Sequence, residues 1–147
     1  MTSAIISAED RQAIYDNLNR YAWCLDQADG AGVASTFTSD GAIVASDGRY
    51  EGRSEIERFV NNAGSAPGFF GRQHHVQPLF IEEKDGGYLL TSYWMVVTWH
   101  AGEAPFIVYI GYYLDTCVRD GDTWRMREKI IRRWNNATAP PMAQTSP

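Results

Sequence analysis

Little in this sequence would staple the chain, anchor it or give it a strongly charged surface. Only two cysteines, Cys24 and Cys117, occur in 147 residues, and no CxxC spacing is present. That is too few for a disulfide framework and predicts free thiols, buried or half-buried. Lysine and arginine number 13 against 18 aspartates and glutamates, for a net charge of −5. A surface of that sign does not neutralise a run of phosphates, which excludes nucleic acid as an expected partner. No stretch approaches the ~20 apolar residues of a membrane span. The opening MTSAIISAED has neither the basic region nor the long apolar run of an export signal, so the expected location is cytoplasmic. Asn136-Ala137-Thr138 matches a glycosylation sequon that, without export, is expected to be incidental. There is no GxGxxG, no phosphate loop, no HExxH and no calcium-type acidic loop, so no nucleotide, metal or other cofactor is expected.

Aromatic residues, by contrast, are abundant: five Trp, eight Tyr and six Phe make up 13% of the chain. That exceeds the needs of a small core and points to an aromatic-lined cavity or a subunit interface. The length fits one domain, which at this size buries roughly 68–70% of the surface its unfolded chain exposes. A core and an internal pocket can then coexist.

Periodicity changes along the chain. Helical spacing dominates to about Ala63, and strand-type runs rich in aromatic and β-branched residues occupy about 72–134. The order predicts an α+β fold in a single domain over 1–134. Ser7 with Asp10 resembles a capping box, and Ile14, Leu18, Tyr21 and Leu25 then form one stripe on a helix ending near Gln27. A short helical piece over 32–37, short strands over 42–46 and 49–51, and a second capped helix from Ser54 with Glu57 to Gly64 come next. In the loop 65–71, Phe69 and Phe70 are either a lid over an apolar pocket or a plug in the core.

Four long strands are predicted over 73–83, 88–100, 106–119 and 123–134, joined by hairpin-length connections into a meander that should curl strongly. In the last strand the alternation puts Arg125, Arg127, Lys129 and Arg133 on a wet face. Trp124, Met126, Ile130 and Trp134 then fall on a buried one. The second long strand carries large apolar side chains at both parities, so both faces need covering, one by the helices and the other, on this expectation, by another subunit. The tail 135–147, with three prolines and no periodicity, reads as flexible or as an arm on a neighbour.

Few groups in the sequence move protons near neutral pH: His74, His75 and His100, all on the predicted sheet. Neighbours on a strand face opposite sides, so only one of His74 and His75 can enter a given pocket. Asp26 stands near the negative end of the first helix, beside the apolar stripe, where it faces either a cavity or solvent. Tyr21 lies within that stripe, and a buried phenol needs a partner for its hydroxyl. A metal triad of His74, His100 and Asp26 is conceivable but has no motif behind it.

The segments 20–26 (RYAWCLD), 37–41 (FTSDG), 50–53 (YEGR), 72–76 (RQHHV), 112–115 (YYLD) and 122–125 (DTWR) give the chain a family likeness. From Ser7 to Trp134 it resembles the SnoaL-like branch of the nuclear-transport-factor-two superfamily, and within it the elimination enzymes typified by scytalone dehydratase, bile-acid 7-alpha-dehydratase and lindane dehydrochlorinase. The resemblance implies a cone-shaped α+β barrel, a curled antiparallel sheet wrapped against N-terminal helices. The 48-residue separation of Asp26 and His74 matches the catalytic pair of those enzymes, and Tyr21 matches the tyrosine of the bile-acid enzyme. His100 resembles the second histidine of scytalone dehydratase, whereas Gly111 and Tyr113 stand where that enzyme has serine and asparagine, so its substrate is not expected here.

By that likeness the expected activity is a cofactor-free lyase of dehydratase type acting on a hydrophobic cyclic carbonyl compound. His74 would be the base, Asp26 its orienting partner and Tyr21 the oxyanion donor. His100, Trp94, Phe69, Phe70, Tyr113 and Trp134 would contact substrate. The resemblance also implies a homo-oligomer, a trimer ahead of a dimer. An isomerase or cyclase in the same pocket remains open, as do a metal-dependent enzyme and a non-catalytic assembly subunit like the small subunit of a ring-hydroxylating dioxygenase.

Overall fold

Helix α1 (Ala8–Asp26) starts where Ser7 places it, the serine hydroxyl oxygen accepting the Asp10 N–H at 3.0 Å in a computed structural model that describes residues 5–134. The tail expectation for 135–147 lies outside the described residues. Helix α2 (Gly30–Ser35) is capped by Asp29, whose carboxylate accepts the Gly32 N–H at 2.9 Å. It ends before Phe37, which instead opens strand β1 (Phe37–Ala45) as a fully buried residue. Strand β2 (Gly48–Glu51) pairs back on β1.

Helix α3 (Arg53–Gly64) corrects the expected capping box. Its N-cap is Gly52, at φ 83°, with no side-chain cap, and Ser54 and Glu57 lie inside the helix. The positive φ that turns the chain into the helix is one glycine adopts without a Cβ penalty.

The meander is present as β3 (Gln73–Lys84), β4 (Gly87–Thr98), β5 (Phe106–Asp120) and β6 (Thr123–Arg133). The sheet order is β2-β1-β6-β5-β4-β3, and β1 runs parallel to β6 while the other pairs are antiparallel. The sheet curls around the helices without closing, leaving β2 and β3 as its edges, so the expected barrel is an open one.

Inside the curl, the α1 stripe Ile14, Leu18, Tyr21 and Leu25 meets Val33, Ile56 and Val60 from the other helices and Trp94 and Tyr113 from the sheet. Each fully buried side chain of this kind contributes about 1.5–3 kcal/mol. Close approach explains Gly111: a Cβ there would overlap the Arg132 carbonyl oxygen and stand 2.8 Å from the Trp94 ring. The outer face of β4 and β5 is a different surface. Tyr93, Met95, Ile107, Ile110 and Trp134 are exposed on it, a contiguous apolar patch larger than scattered surface residues would make. No helix among the described residues is long and apolar enough to cross a membrane.

In two places side chains face differently from the alternation expected. In β6, Thr116 pairs with Glu128 and Cys117 with Met126, so Arg127 has no partner and forms a bulge. An inserted residue reverses the facing of everything after it. Trp124 and Met126 point inward as expected, but beyond the bulge Lys129 and Ile131 do so, and Lys129 is fully buried rather than wet. Strand β4 ends at Thr98, which puts His100 in the following turn, off the sheet.

Candidate active site

Asp26 is the last residue of α1, where the helix dipole opposes a carboxylate. The sheet supplies what offsets it. Strand β3 is an edge, so its outward N–H groups lack a neighbouring strand, and the carboxylate of Asp26 accepts the His74 N–H at 3.0 and 3.1 Å. Asp26 Oδ1 also lies 2.6 Å from His74 Nδ1. Since a carboxylate only accepts, the Nδ1 proton donates in this bond, and it is the neutral ring with this tautomer that has its lone pair on Nε2. Both side chains are about one-seventh exposed, at 13% and 14%.

His74 lines a cavity of about 320 Å³, near the lower end of ligand-site sizes. Leu25, Phe59, Phe69, Trp94 and Tyr113 give it apolar and aromatic walls, and Tyr21 belongs to the lining. Tyr113 stacks on Trp94 with ring centroids 5.6 Å apart and meets Tyr21 edge-on at 6.1 Å. Burial pushes both phenols above their ordinary range, and the nearby Asp115 charge acts in the same sense, so both stay neutral and can donate. The Tyr21 hydroxyl is buried and makes no hydrogen bond of ordinary geometry among the described residues, interacting only weakly with the Tyr113 hydroxyl, which lies on the donor side of that contact. Tyr21→Phe therefore removes no more than this weak contact with Tyr113. The melting temperature is expected to hold within a few degrees, while turnover falls about 10²-fold if the hydroxyl serves a developing oxyanion, measurable by pairing a thermal melt with steady-state kinetics.

Beneath the two phenols lies a buried ion pair that sequence reasoning missed. Lys129 Nζ is 2.9 and 3.0 Å from the two Asp115 carboxylate oxygens, both residues fully buried. The ammonium stands 3.5 Å from the Tyr113 ring centroid and 4.4 Å from that of Tyr21. Burial draws Lys129 down and pushes Asp115 up, and each is held towards its charged form by the other. The available signal was Asp115 in an apolar strand facing Lys129 across a hairpin, but the bulge at Arg127 conceals that register.

Among the remaining expected contacts, Phe69, Trp94 and Tyr113 do form the cavity wall, and Phe69 settles the lid-or-plug alternative as a wall that is 3% exposed. Three of the expected contacts lie outside this lining. Phe70 turns outward at 67% exposure because the tight turn in 66–72 sends successive side chains apart. His100, outside β4, is exposed and packs its ring on Phe106 at 5.6 Å. Trp134 comes after the end of β6, and its ring meets Tyr93 at 6.1 Å on the outer face. His75 also faces outward, as the alternation required. Among the described residues no group of three or more His, Cys, Asp or Glu could hold a metal ion, so the conceivable triad with His100 is not assembled.

Comparisons with known proteins agree with this architecture. The SnoaL-like domain family matches residues 7–130. A protein of unknown function with a cystatin-like fold from Nostoc punctiforme is 21% identical, with a TM-score of 0.79, 92% of this chain and 97% of that one being covered. A nuclear-transport-factor-two-like protein with a cystatin-like fold from Novosphingobium aromaticivorans is 17% identical, with a TM-score of 0.80 and coverage of 94% and 90%. A candidate scytalone dehydratase from the same organism is 20% identical, with a TM-score of 0.73 and coverage of 94% and 96%. No curated protein matches the chain in sequence.

Proposed function

We propose, for a chain that belongs to the SnoaL-like domain family, that the cavity beside His74 is the active site of a cofactor-independent lyase removing water from a hydrophobic cyclic ketone. The observation that supports this reading is the 2.6 Å contact between Asp26 and His74, through which Nδ1 would donate to the carboxylate and Nε2 of this cavity-lining residue would be free to act as the base. In the first step Nε2 takes the proton from the carbon beside the carbonyl. The electron pair moves onto the carbonyl oxygen, where the Tyr21 hydroxyl donates to it. As the enolate collapses, a double bond forms between the α and β carbons and the β C–O bond breaks. The imidazolium returns its proton to the departing hydroxide, so water leaves and the enzyme is restored. Asp26 stabilises the imidazolium between the two steps and holds its tautomer, the role an acid plays behind a catalytic histidine. Aromatic walls keep the reacting centre dry, which strengthens each of these electrostatic contacts.

A β-hydroxy ketone of the right size tests this. 3-Hydroxy-1-tetralone loses water to give 1-naphthol, whose fluorescence reports turnover. Catalysed release is expected, and its absence across substituted analogues, with α-proton exchange retained, would favour the isomerase or cyclase reading.

The same proposal includes a homo-oligomer, a trimer ahead of a dimer, covering the apolar outer face of β4 and β5. Light scattering on the purified protein is expected to give a multiple of the 16.5 kDa chain mass. A monomer at micromolar concentration contradicts it.

A further inference from the structure

The polar groups left without partners are not scattered. Five buried side-chain atoms lack a hydrogen bond in the described protein, and three of them belong to residues lining the cavity: Tyr21 Oη, Arg72 Nε and Trp94 Nε1. All three carry a hydrogen to donate. Buried polar groups are paired in more than about nine cases in ten, so three unpaired donors on residues around one cavity stand out, each of them covered by its own surroundings and able to reach an occupant only when its side chain turns.

Arg72 adds charge to that set. Arg72 makes no ion pair among the described residues, as is also true of Arg11, Arg20, Arg53, Arg127 and Arg132, but unlike those five it lines the cavity. Its guanidinium instead lies 5.7 Å from the Phe69 ring centroid and 5.8 Å from that of Tyr109, two walls of the cavity. These are distances at the outer limit of a cation–π contact, so the rings hold the group in place without replacing its anion. The other charged lining residues are Arg133 and Asp47, and the Asp47 carboxylate already accepts the Tyr50 hydroxyl at 2.8 Å. Arg72 precedes His74 by two residues, about 6.6 Å along an extended chain, and both line the same cavity.

We infer that Arg72 is an anion-binding residue of this cavity and that the substrate carries a carboxylate beside its ring system. This rests on the reading of the cavity as the substrate site, and it narrows the substrate from a neutral cyclic ketone to a cyclic acid. A guanidinium in a low-dielectric wall suits a planar carboxylate, which it can bind through two parallel N–H donors.

Binding tests it without turnover, so its outcome is separate from the fate of the lyase proposal. The probes are 2-naphthoate and 2-acetonaphthone, which share a ring system and differ in a carboxylate against a neutral carbonyl, titrated at neutral pH by calorimetry. The wild-type protein is expected to bind the carboxylate about tenfold more tightly. Arg72→Gln should abolish that preference while leaving the ketone affinity within about twofold, and Arg72→Lys should retain part of it. Circular dichroism of each variant establishes that it is folded, and the ketone serves as the internal control for an intact cavity. Equal wild-type affinity for the two probes, no binding of the carboxylate, or a preference that survives in Arg72→Gln each overturns the inference.

Discussion

His74→Gln is expected to lower turnover about 10²–10⁴-fold, the range that a positioned general base supplies. Glutamine keeps an amide N–H for Asp26 and fills similar space, so the fold should survive and the loss should fall on the chemistry. The cleanest readout is deuterium exchange at the α-carbon of 2-tetralone in D₂O, tracked by NMR, because it isolates proton abstraction from the fate of the leaving group. Asp26→Asn is expected to be slower than wild type by about 10²-fold or more, since an amide can donate to Nδ1 and stabilise the wrong tautomer. Its backbone contact with the His74 N–H would persist through the amide oxygen, which keeps β3 docked on the end of α1. Wild-type exchange in His74→Gln would mean that some other group takes the proton.

The largest expected effect on stability lies under the site. Lys129→Met leaves the Asp115 carboxylate fully buried without its ammonium, and breaking one side of such a pair costs about 3–5 kcal/mol. For a domain of this size that should depress the melting temperature by roughly 10 °C or more. Replacing both partners, Lys129→Met with Asp115→Leu, removes the stranded charge and is expected to recover most of the loss. Urea denaturation of the single and double variants measures both. Single variants within about 1 kcal/mol of wild type would show that the pair is not a dry one. The pair also sets the environment of the phenols above it. Its ammonium faces both rings, so the doubly substituted protein should fold yet hold Tyr21 and Tyr113 less firmly.

Much of this architecture was legible from periodicity. The stripe Ile14, Leu18, Tyr21 and Leu25 marked the buried face of α1, and the Ser7 cap marked its start. Hairpin-length connections gave the meander, and strand alternation correctly separated His74 from His75. The hidden features depended on irregular backbone. A single unpaired residue, Arg127, reversed the facing of the rest of β6, which turned Lys129 from a surface cation into a buried one. Alternation has no means of registering an insertion that the partner strand does not share. The end of β4 at Thr98 was equally invisible, because Trp99 and His100 continue the strand-like composition into a turn. The parallel pairing of β1 with β6 arises from tertiary packing between distant segments, for which local pattern carries no signal. The pairing of Asp26 with His74 came from likeness to a family and not from residue chemistry, and the structure places the two within 2.6 Å.

The claim on which the mechanism stands is that His74 presents an unprotonated Nε2 to the cavity while Nδ1 donates to Asp26. Nitrogen-15 NMR of the histidine ring, with long-range correlation to the ring carbons, reads this directly in the resting protein. The account predicts a neutral imidazole protonated at Nδ1, the minority tautomer of free histidine. A His74 ring protonated at Nε2, with Nδ1 bare, would contradict it.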